Sequence, residues 1–463
     1  MKLRETIAFV LLLLVALVPN LMILCLADDL ATPLERFAYF CETCVLYAMG
    51  LCLLHKRAYL YTISLGFALS AFELMHLLLR HSTVTVLYLY TWFKTPPAER
   101  WAPWTQYWWV AMVVVGLWLL YYVLAHYCVS RTYIAPLKWR LAALPVLLSA
   151  YILLPARACP MNMLYQLGRL SSMAVQVERH MPEQRAFTYG IQPNASKAQE
   201  TVIVVLAEAG YEDFQRLCYS DSLAVFFDSV YAPCAASGVS LPLYLSRATP
   251  QNRAPFFSEK SVIQAFNEAG FYTAWLSNYG YHDHFLMRIA DDCHYLAYMP
   301  FRPDTALLPS YREVLRYPSQ RHMVVMATQG TRDTASFVHT PELLWHLTDS
   351  LRTTHQPAML VYAGAGNISR HTDMPRLHVP FVIWANPNYR YRHRALMRRL
   401  KAQSHMPVST ESIFHTLLYM NNIETGFLEP GKAIGHLNYE AADTIYYFDE
   451  NLRVRATLPA LAD

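Results

Sequence analysis

Apolar residues follow two regimes along this chain, and the change falls near residue 157. Before it lie five long apolar runs with few charges: Thr6–Ala27, Phe37–Leu54, Leu60–Leu79, Trp108–Cys128 and Leu141–Leu154. A bilayer crossing takes roughly 20 apolar residues, so the pattern predicts five transmembrane helices, the last one short. After residue 157, short apolar runs alternate with stretches of helical periodicity. The predicted strands are Thr201–Ala207, Tyr272–Leu276, Met323–Ala327, Ala358–Tyr362, Val379–Trp384 and Thr444–Phe448. The predicted helices are Ser261–Ala269, Leu307–Arg316, Pro341–Arg352, His393–Ala402 and Glu411–Asn421. Near-continuous apolar strands separated by helices predict a mostly parallel sheet covered by helices on both faces. Residues 158–199 are polar and mixed, partly helical around Met161–Val177. The chain therefore reads as a five-span transmembrane domain (1–157), a bridging segment (158–199) and an α/β domain (200–463).

Composition agrees with an integral membrane protein: 54% of the 463 residues are hydrophobic and only 16% charged. Lys2, Arg4, Lys56, Arg57, Arg131, Lys138 and Arg140 flank one set of span ends, and Asp28, Asp29, Glu35 and Glu99 lie on the other. The positive-inside rule places the N-terminus in the cytoplasm, and an odd number of crossings delivers the α/β domain outside. The basic start and the Ala27 exit of the first run also resemble a cleavable signal sequence; four further spans favour an uncleaved anchor. Between the third and fourth spans, Tyr88–Trp109 carries Trp92, Trp101, Trp104, Trp108 and Trp109. Indoles favour the headgroup layer, and the alternative is that they pack on the outer domain. Nine cysteines divide by compartment. Cys159, Cys218, Cys234 and Cys293 fall in the outer portion, where disulfides are permitted, and the sequence does not choose among their pairings.

In open α/β sheets, ligands bind beyond the C-terminal ends of the strands, which singles out Glu208 at the end of the first predicted strand. The string around it, VIVVLAEAGYEDF, resembles the first motif of the phosphoethanolamine transferases. These are alkaline-phosphatase-like, sulfatase-like enzymes that modify lipid A and other envelope glycans. Their motif ends in Gly-Glu-Thr-Ala-Arg, with a zinc-binding Glu that Glu208 matches; Ala207 and Ala209 replace the flanking Gly and Thr. A second stretch, Ser229–Arg247, resembles the segment that carries the nucleophilic Thr and ends in Ser-Val-Pro-Cys. The resemblance places Ser237 at the nucleophile and Leu243 at the second cysteine, so Cys234 lacks its usual partner. A helix-capping role for Ser237 is the alternative. Near the C-terminus, Val408–Gly426 resembles the Ser-His-Asp-Asn-Leu-Phe-His-Thr helix of the family. Phe414, His415 and Thr416 are kept, and Thr410 and Glu411 replace the His-Asp pair.

Two other motifs depart from the family. Its Gly-Ser-His-Gly reads Ala327-Thr328-Gln329-Gly330 here. Its main metal motif, Ser-Asp-His-Gly-Glu-Ser, reads Gly364-Ala365-Gly366-Asn367-Ile368-Ser369. Zinc is held by Cys, His or carboxylate, usually three or more, and Ala and Gly offer none. The resemblance thus implies zinc in the family and little or none here. A rebuilt site would draw on Glu208 and His371, with Asp373, His378, His282 and His284 also available among 18 histidines; satisfied or solvated histidines are the simpler reading.

Glu42 in the second span, and Glu73 and His76 in the third, are ionisable groups inside the membrane and so candidate lipid-binding residues. Each acid lies ~8–9 Å from the outer helix end at ~1.5 Å per residue, and structural pairing of these groups is the alternative. The basic run Arg390, Arg392, Arg394, Arg398, Arg399 and Lys401 is a candidate for lipid phosphates or a solvated helix face. Two functional readings follow. One is a catalytically degenerate homologue that binds lipid or lipopolysaccharide, or regulates, at a Gram-negative inner membrane. The other is an active transferase moving phosphoethanolamine from phosphatidylethanolamine to lipid A or another envelope glycan. A transporter is a third class, for which three intramembrane ionisable groups offer little pathway. No nucleic-acid partner is expected.

Overall fold

The structure is a computed structural model. It describes residues 3–26, 71–77, 83–94, 107–131, 137–153, 161–192, 200–216, 220–278, 284–300, 302–319, 321–328, 339–365, 377–449 and 451–459, with isolated positions between 34 and 105. Chain contacts divide it into two compact units, Met1–Met173 and Ala174–Asp463.

In the first unit, helices cover Leu3–Leu26, Val86–Lys94, Trp108–Arg131 and Leu137–Leu153, and a further helix begins at Met161. Among the described residues, Trp108–Tyr127 is long and apolar enough to cross a membrane, while Val10–Met22 and Leu141–Ala150 are shorter apolar stretches. The predicted spans Phe37–Leu54 and Leu60–Leu79 lie mostly outside the described residues. Helices Leu3–Leu26 and Trp108–Arg131 pack together. Leu12, Val15 and Ala16 on the first, and Val110, Val114, Tyr121 and Ala125 on the second, are buried. That spacing is a one-sided helical stripe. The opposite side of the second helix leaves Trp108, Met112 and Val123 more than 60% exposed, a surface suited to lipid.

A polar hub is buried in the same unit. Glu73 Oε1 accepts from the Val84 amide and from Asn162 Nδ2, each at 2.8 Å. Asn162 Nδ2 also donates to the Val84 carbonyl at 2.9 Å, and Gln166 Nε2 donates to Asn162 Oδ1 at 3.3 Å. His76 lies 3.9 Å from the Tyr88 ring, centroid to centroid. Glu73, His76 and Glu42 are all buried.

The second unit is built on a seven-stranded sheet. In chain order the strands are β1 (Glu200–Glu208), β2 (Ala224–Phe227), β3 (Val230–Tyr231), β4 (Tyr272–Ser277), β5 (Tyr295–Tyr298), β6 (Arg321–Thr328), β7 (Ala358–Ala365), β8 (Phe381–Ala385), β9 (Val408–Ser409), β10 (Ile445–Phe448) and β11 (Val454–Thr457). The sheet order is β2-β8-β7-β1-β6-β4-β5. β7, β1, β6, β4 and β5 run parallel, β8 is antiparallel to β7, and β2 is antiparallel to β8. Central β1 is buried on both faces, as its unbroken VIVVLA run requires. Successive side chains alternate between two cores. Val202, Val204 and Leu206 enter one, with Leu241, Phe266, Phe414 and Leu400 from the helices above; Ile203 and Val205 enter the other, with Tyr311, Leu343 and Leu347. Each such fully buried side chain contributes about 1.5–3 kcal/mol of hydrophobic free energy. The predicted strand Thr444–Phe448 does not join this sheet: β10 pairs antiparallel with β11 in a separate hairpin.

Candidate functional site

The C-terminal end of β1 is the point from which the site is built. Glu208 is the last residue of β1, lies opposite Ala365 at the end of β7, and is half-buried. On the other side Ala207 pairs with Thr328, whose hydroxyl donates to the Leu206 carbonyl at 3.4 Å. Ser237 comes to this strand end at the start of the helix Ser237–Tyr244, and its Oγ donates to Glu208 Oε2 at 3.3 Å. Residues 29 apart in sequence are thereby brought together. Ser237 is not a cap: Ala236 occupies that position and no side chain caps the helix. The Ser240 amide donates instead to the Ala236 carbonyl at 2.9 Å, and the Ser240 hydroxyl to the Cys234 carbonyl. The positive end of the helix dipole points toward the Glu208 carboxylate, a favourable placement for an anion.

Backbone closes the neighbouring strand end. The Gly364 amide donates to the Pro380 carbonyl at 2.8 Å, and the Tyr244 hydroxyl donates to the Gly364 carbonyl at 2.8 Å. The Ala209 amide donates to the Ala365 carbonyl at 3.2 Å. A Cβ on Gly364 would stand 2.5 Å from Pro380 Cδ and 2.6 Å from the Ala209 carbonyl oxygen. A side chain there would force Pro380 and the backbone around Ala209 to shift.

His378 lies in the segment leading to Pro380. Its Nε2 donates to the Asp228 carbonyl at 2.7 Å, and its ring stacks on Tyr211 at 4.0 Å and on Tyr231 at 5.5 Å. Burial holds its pKa below the usual histidine range. A neutral ring bonded this way has only Nδ1 left as an acceptor. His371, Asp373, His282, Gln329 and Gly366 lie outside the described residues, as does the side chain of His284. Cys234 is buried and Cys293 partly buried, and Cys159 and Cys218 lie outside the described residues.

A titratable cluster borders the helix Ser412–Met420. Burial pushes the Glu411 carboxyl up to about 7, against the opposing field of Lys432. Burial likewise pushes His415 down to about 4, and its Nδ1 accepts from the Glu429 amide at 3.1 Å. Glu429 is bonded to Lys432 at 2.8 Å. Sequence reasoning did not find a second buried group beyond the end of β4. Asn278 Nδ2 donates to Asp304 Oδ1 at 2.7 Å, and the Thr340 hydroxyl donates to Asp304 Oδ2 at 2.6 Å.

No family model matches the chain, and no curated protein sequence matches it. Solved structures do match. The integral membrane protein lipooligosaccharide phosphoethanolamine transferase A from Neisseria meningitidis is 14% identical. It covers 92% of this chain and 97% of its own, with a TM-score of 0.64. This chain has the fold of a phosphoethanolamine transferase. The C-terminal periplasmic domain of EptC from Escherichia coli is also 14% identical, over 58% of this chain and 96% of that one, with a TM-score of 0.51. A structure of that Escherichia coli domain in complex with zinc matches with a TM-score of 0.49.

Among the described residues, these strand ends offer a zinc ion few donor atoms. Glu208 supplies a carboxylate and Ser237 a hydroxyl, while Ala365, facing Glu208 in register, supplies a methyl group. The Thr328 hydroxyl is spent on a backbone carbonyl. Zinc sites use three or more protein ligands, and among the described residues no group of three His, Cys, Asp or Glu side chains is placed to hold a metal. A serine hydroxyl needs a base or a metal to become a nucleophile at neutral pH.

Proposed function

We propose that this chain is a degenerate member of the phosphoethanolamine transferase family, anchored in a Gram-negative inner membrane. Its N-terminus is cytoplasmic and its α/β domain periplasmic. Its role is to bind phospholipid or lipopolysaccharide, or to regulate, rather than to transfer phosphoethanolamine. One observation carries this reading: Ala365 faces Glu208 across β1 and β7, at the position matched to a metal-binding Asp. The likeness of fold supports the family, and the motif order supports it independently. The carboxylate of Glu208 is the group that would meet the ammonium of an ethanolamine headgroup.

The contact of Ser237 Oγ with Glu208 Oε2 favours a second reading, in which transfer persists on an altered site. Ser237 would then carry a phosphoethanolamine group taken from phosphatidylethanolamine. Intact-mass and peptide spectrometry separate the two. The full chain is incubated with phosphatidylethanolamine in detergent and examined for a phosphoethanolamine adduct. The degenerate reading predicts no adduct on the parent chain or on Ser237→Ala. An adduct on Ser237 that disappears in that variant would overturn it.

A further inference from the structure

The segment after β8 carries concentrated positive charge. No Asp or Glu occurs from Met374 to Thr410, and six of the twelve residues from Arg390 to Lys401 are Lys or Arg. The structure divides these cations into two sets. Arg390 Nη1 donates to the Leu223 carbonyl at 3.0 Å. Arg399 donates to the Gly435 carbonyl and, at 3.1 Å, to the Tyr419 hydroxyl. Those two tie the helices Pro387–Arg392 and Arg394–Ala402 to the rest of the domain. Arg392, Arg394, Arg398 and Lys401 are exposed, and none forms an ion pair with a described residue. The Glu200 carboxylate, which feels the charge of Arg392, is already bonded to Arg321 at 3.1 Å.

Helical geometry gathers the second set. Arg394, Arg398 and Lys401 sit at i, i+4 and i+7, a single stripe, while Leu396, Met397 and Leu400 are buried on the other side. Tyr391 is 70% exposed, and the Arg394 guanidinium stands 4.5 Å from its ring centroid. Like charges on one helix repel at i,i+4 spacing, so the stripe costs stability unless an anionic surface meets it. An exposed tyrosine among cations suits the boundary between headgroups and water.

We infer that the face formed by Arg392, Arg394, Arg398, Lys401 and Tyr391 docks on an anionic phospholipid surface. The same chain carries a helix long and apolar enough, by length and composition, to cross a membrane, which makes a lipid surface the occupant that this charge pattern complements. Each basic residue near an anionic leaflet strengthens binding about fivefold, and four act together here. The inference concerns a surface separate from Ser237 and holds whether that site reacts or only binds.

Backbone amide exchange on the full chain tests it, in nanodiscs of phosphatidylcholine alone and of phosphatidylcholine mixed with phosphatidylglycerol. Exchange across residues 390–402 is expected to slow about fivefold or more in the anionic discs. The slowing should disappear near 1 M salt, where the Debye length is about 3 Å, and in the combined variant Arg394→Gln, Arg398→Gln and Lys401→Gln. These positions are exposed, and an unchanged melting temperature verifies that the variant folds. Equal exchange in the two lipids, or slowing that survives in the variant, would overturn the inference and identify a solvated helix face. Neither result depends on whether Ser237 takes a phosphoethanolamine group.

Discussion

At Gly364 the end of β7 is closed too tightly to leave room for a side chain. Pro380 and the Ala209 carbonyl occupy the space a Cβ would need. Gly364→Ala should therefore overpack the strand end and cost about 1–3 kcal/mol, read as a lowered melting temperature; an unchanged melt would show that Pro380 can move aside. Glu411 makes a prediction in the pH dimension. Its folded pKa, about 7, lies above the value of 4.5 for an unperturbed Glu. The folded state therefore binds the proton more tightly, and this group's stability contribution is full below about pH 4.5 and lost as pH rises toward 7. The loss is on the order of 3 kcal/mol once the pH is well above 7. Glu411→Gln should be more stable than the parent at pH 8 and indistinguishable from it at pH 4.5, and a variant equally destabilised at both pH values would refute the buried-acid explanation. Glu208 and Ser237 were legible in the sequence, because a strand-end acid and a motif spacing are local signals. The Asn278–Asp304–Thr340 group was not, since its partners lie 26 and 36 residues apart with no periodicity to link them.

The elements were legible where burial is complete. β1 and β6 have apolar interiors and run within one or two residues of their predicted bounds, while β7 starts where predicted and continues three residues past its predicted end. β2 and β5 were missed because they are short edge strands with partly exposed residues, so neither strict alternation nor an apolar run marks them. Thr444–Phe448 has strand composition, yet composition does not specify a partner, and the hairpin took it. In the membrane unit, Glu73 and His76 stood out as costly, but Asn162, which binds Glu73 from the start of another helix, gave no signal. Asn162→Ala removes a hydrogen bond to a buried carboxylate and should cost about 1.5–3 kcal/mol. Asn162→Asp should cost more, because it sets a second carboxylate against Glu73. Thermal melts of the full chain in one detergent compare them, and equal melting of all three proteins would contradict a structural role for this hub.

For the whole molecule, 92% of the chain matches the integral membrane protein lipooligosaccharide phosphoethanolamine transferase A in fold at 14% identity. Fold survives such divergence because apolar pattern and packing volume suffice to specify it. A metal site makes a stricter demand, since it depends on particular donor atoms at particular strand ends. Here those ends hold the Glu208 carboxylate, the Ser237 hydroxyl and the Ala365 methyl. The decisive measurement is elemental analysis of the full chain, purified without chelator, beside its Glu208→Gln variant. A lost metal site predicts zinc far below one ion per chain in both proteins. Stoichiometric zinc that a chelator removes and Glu208→Gln abolishes would contradict it.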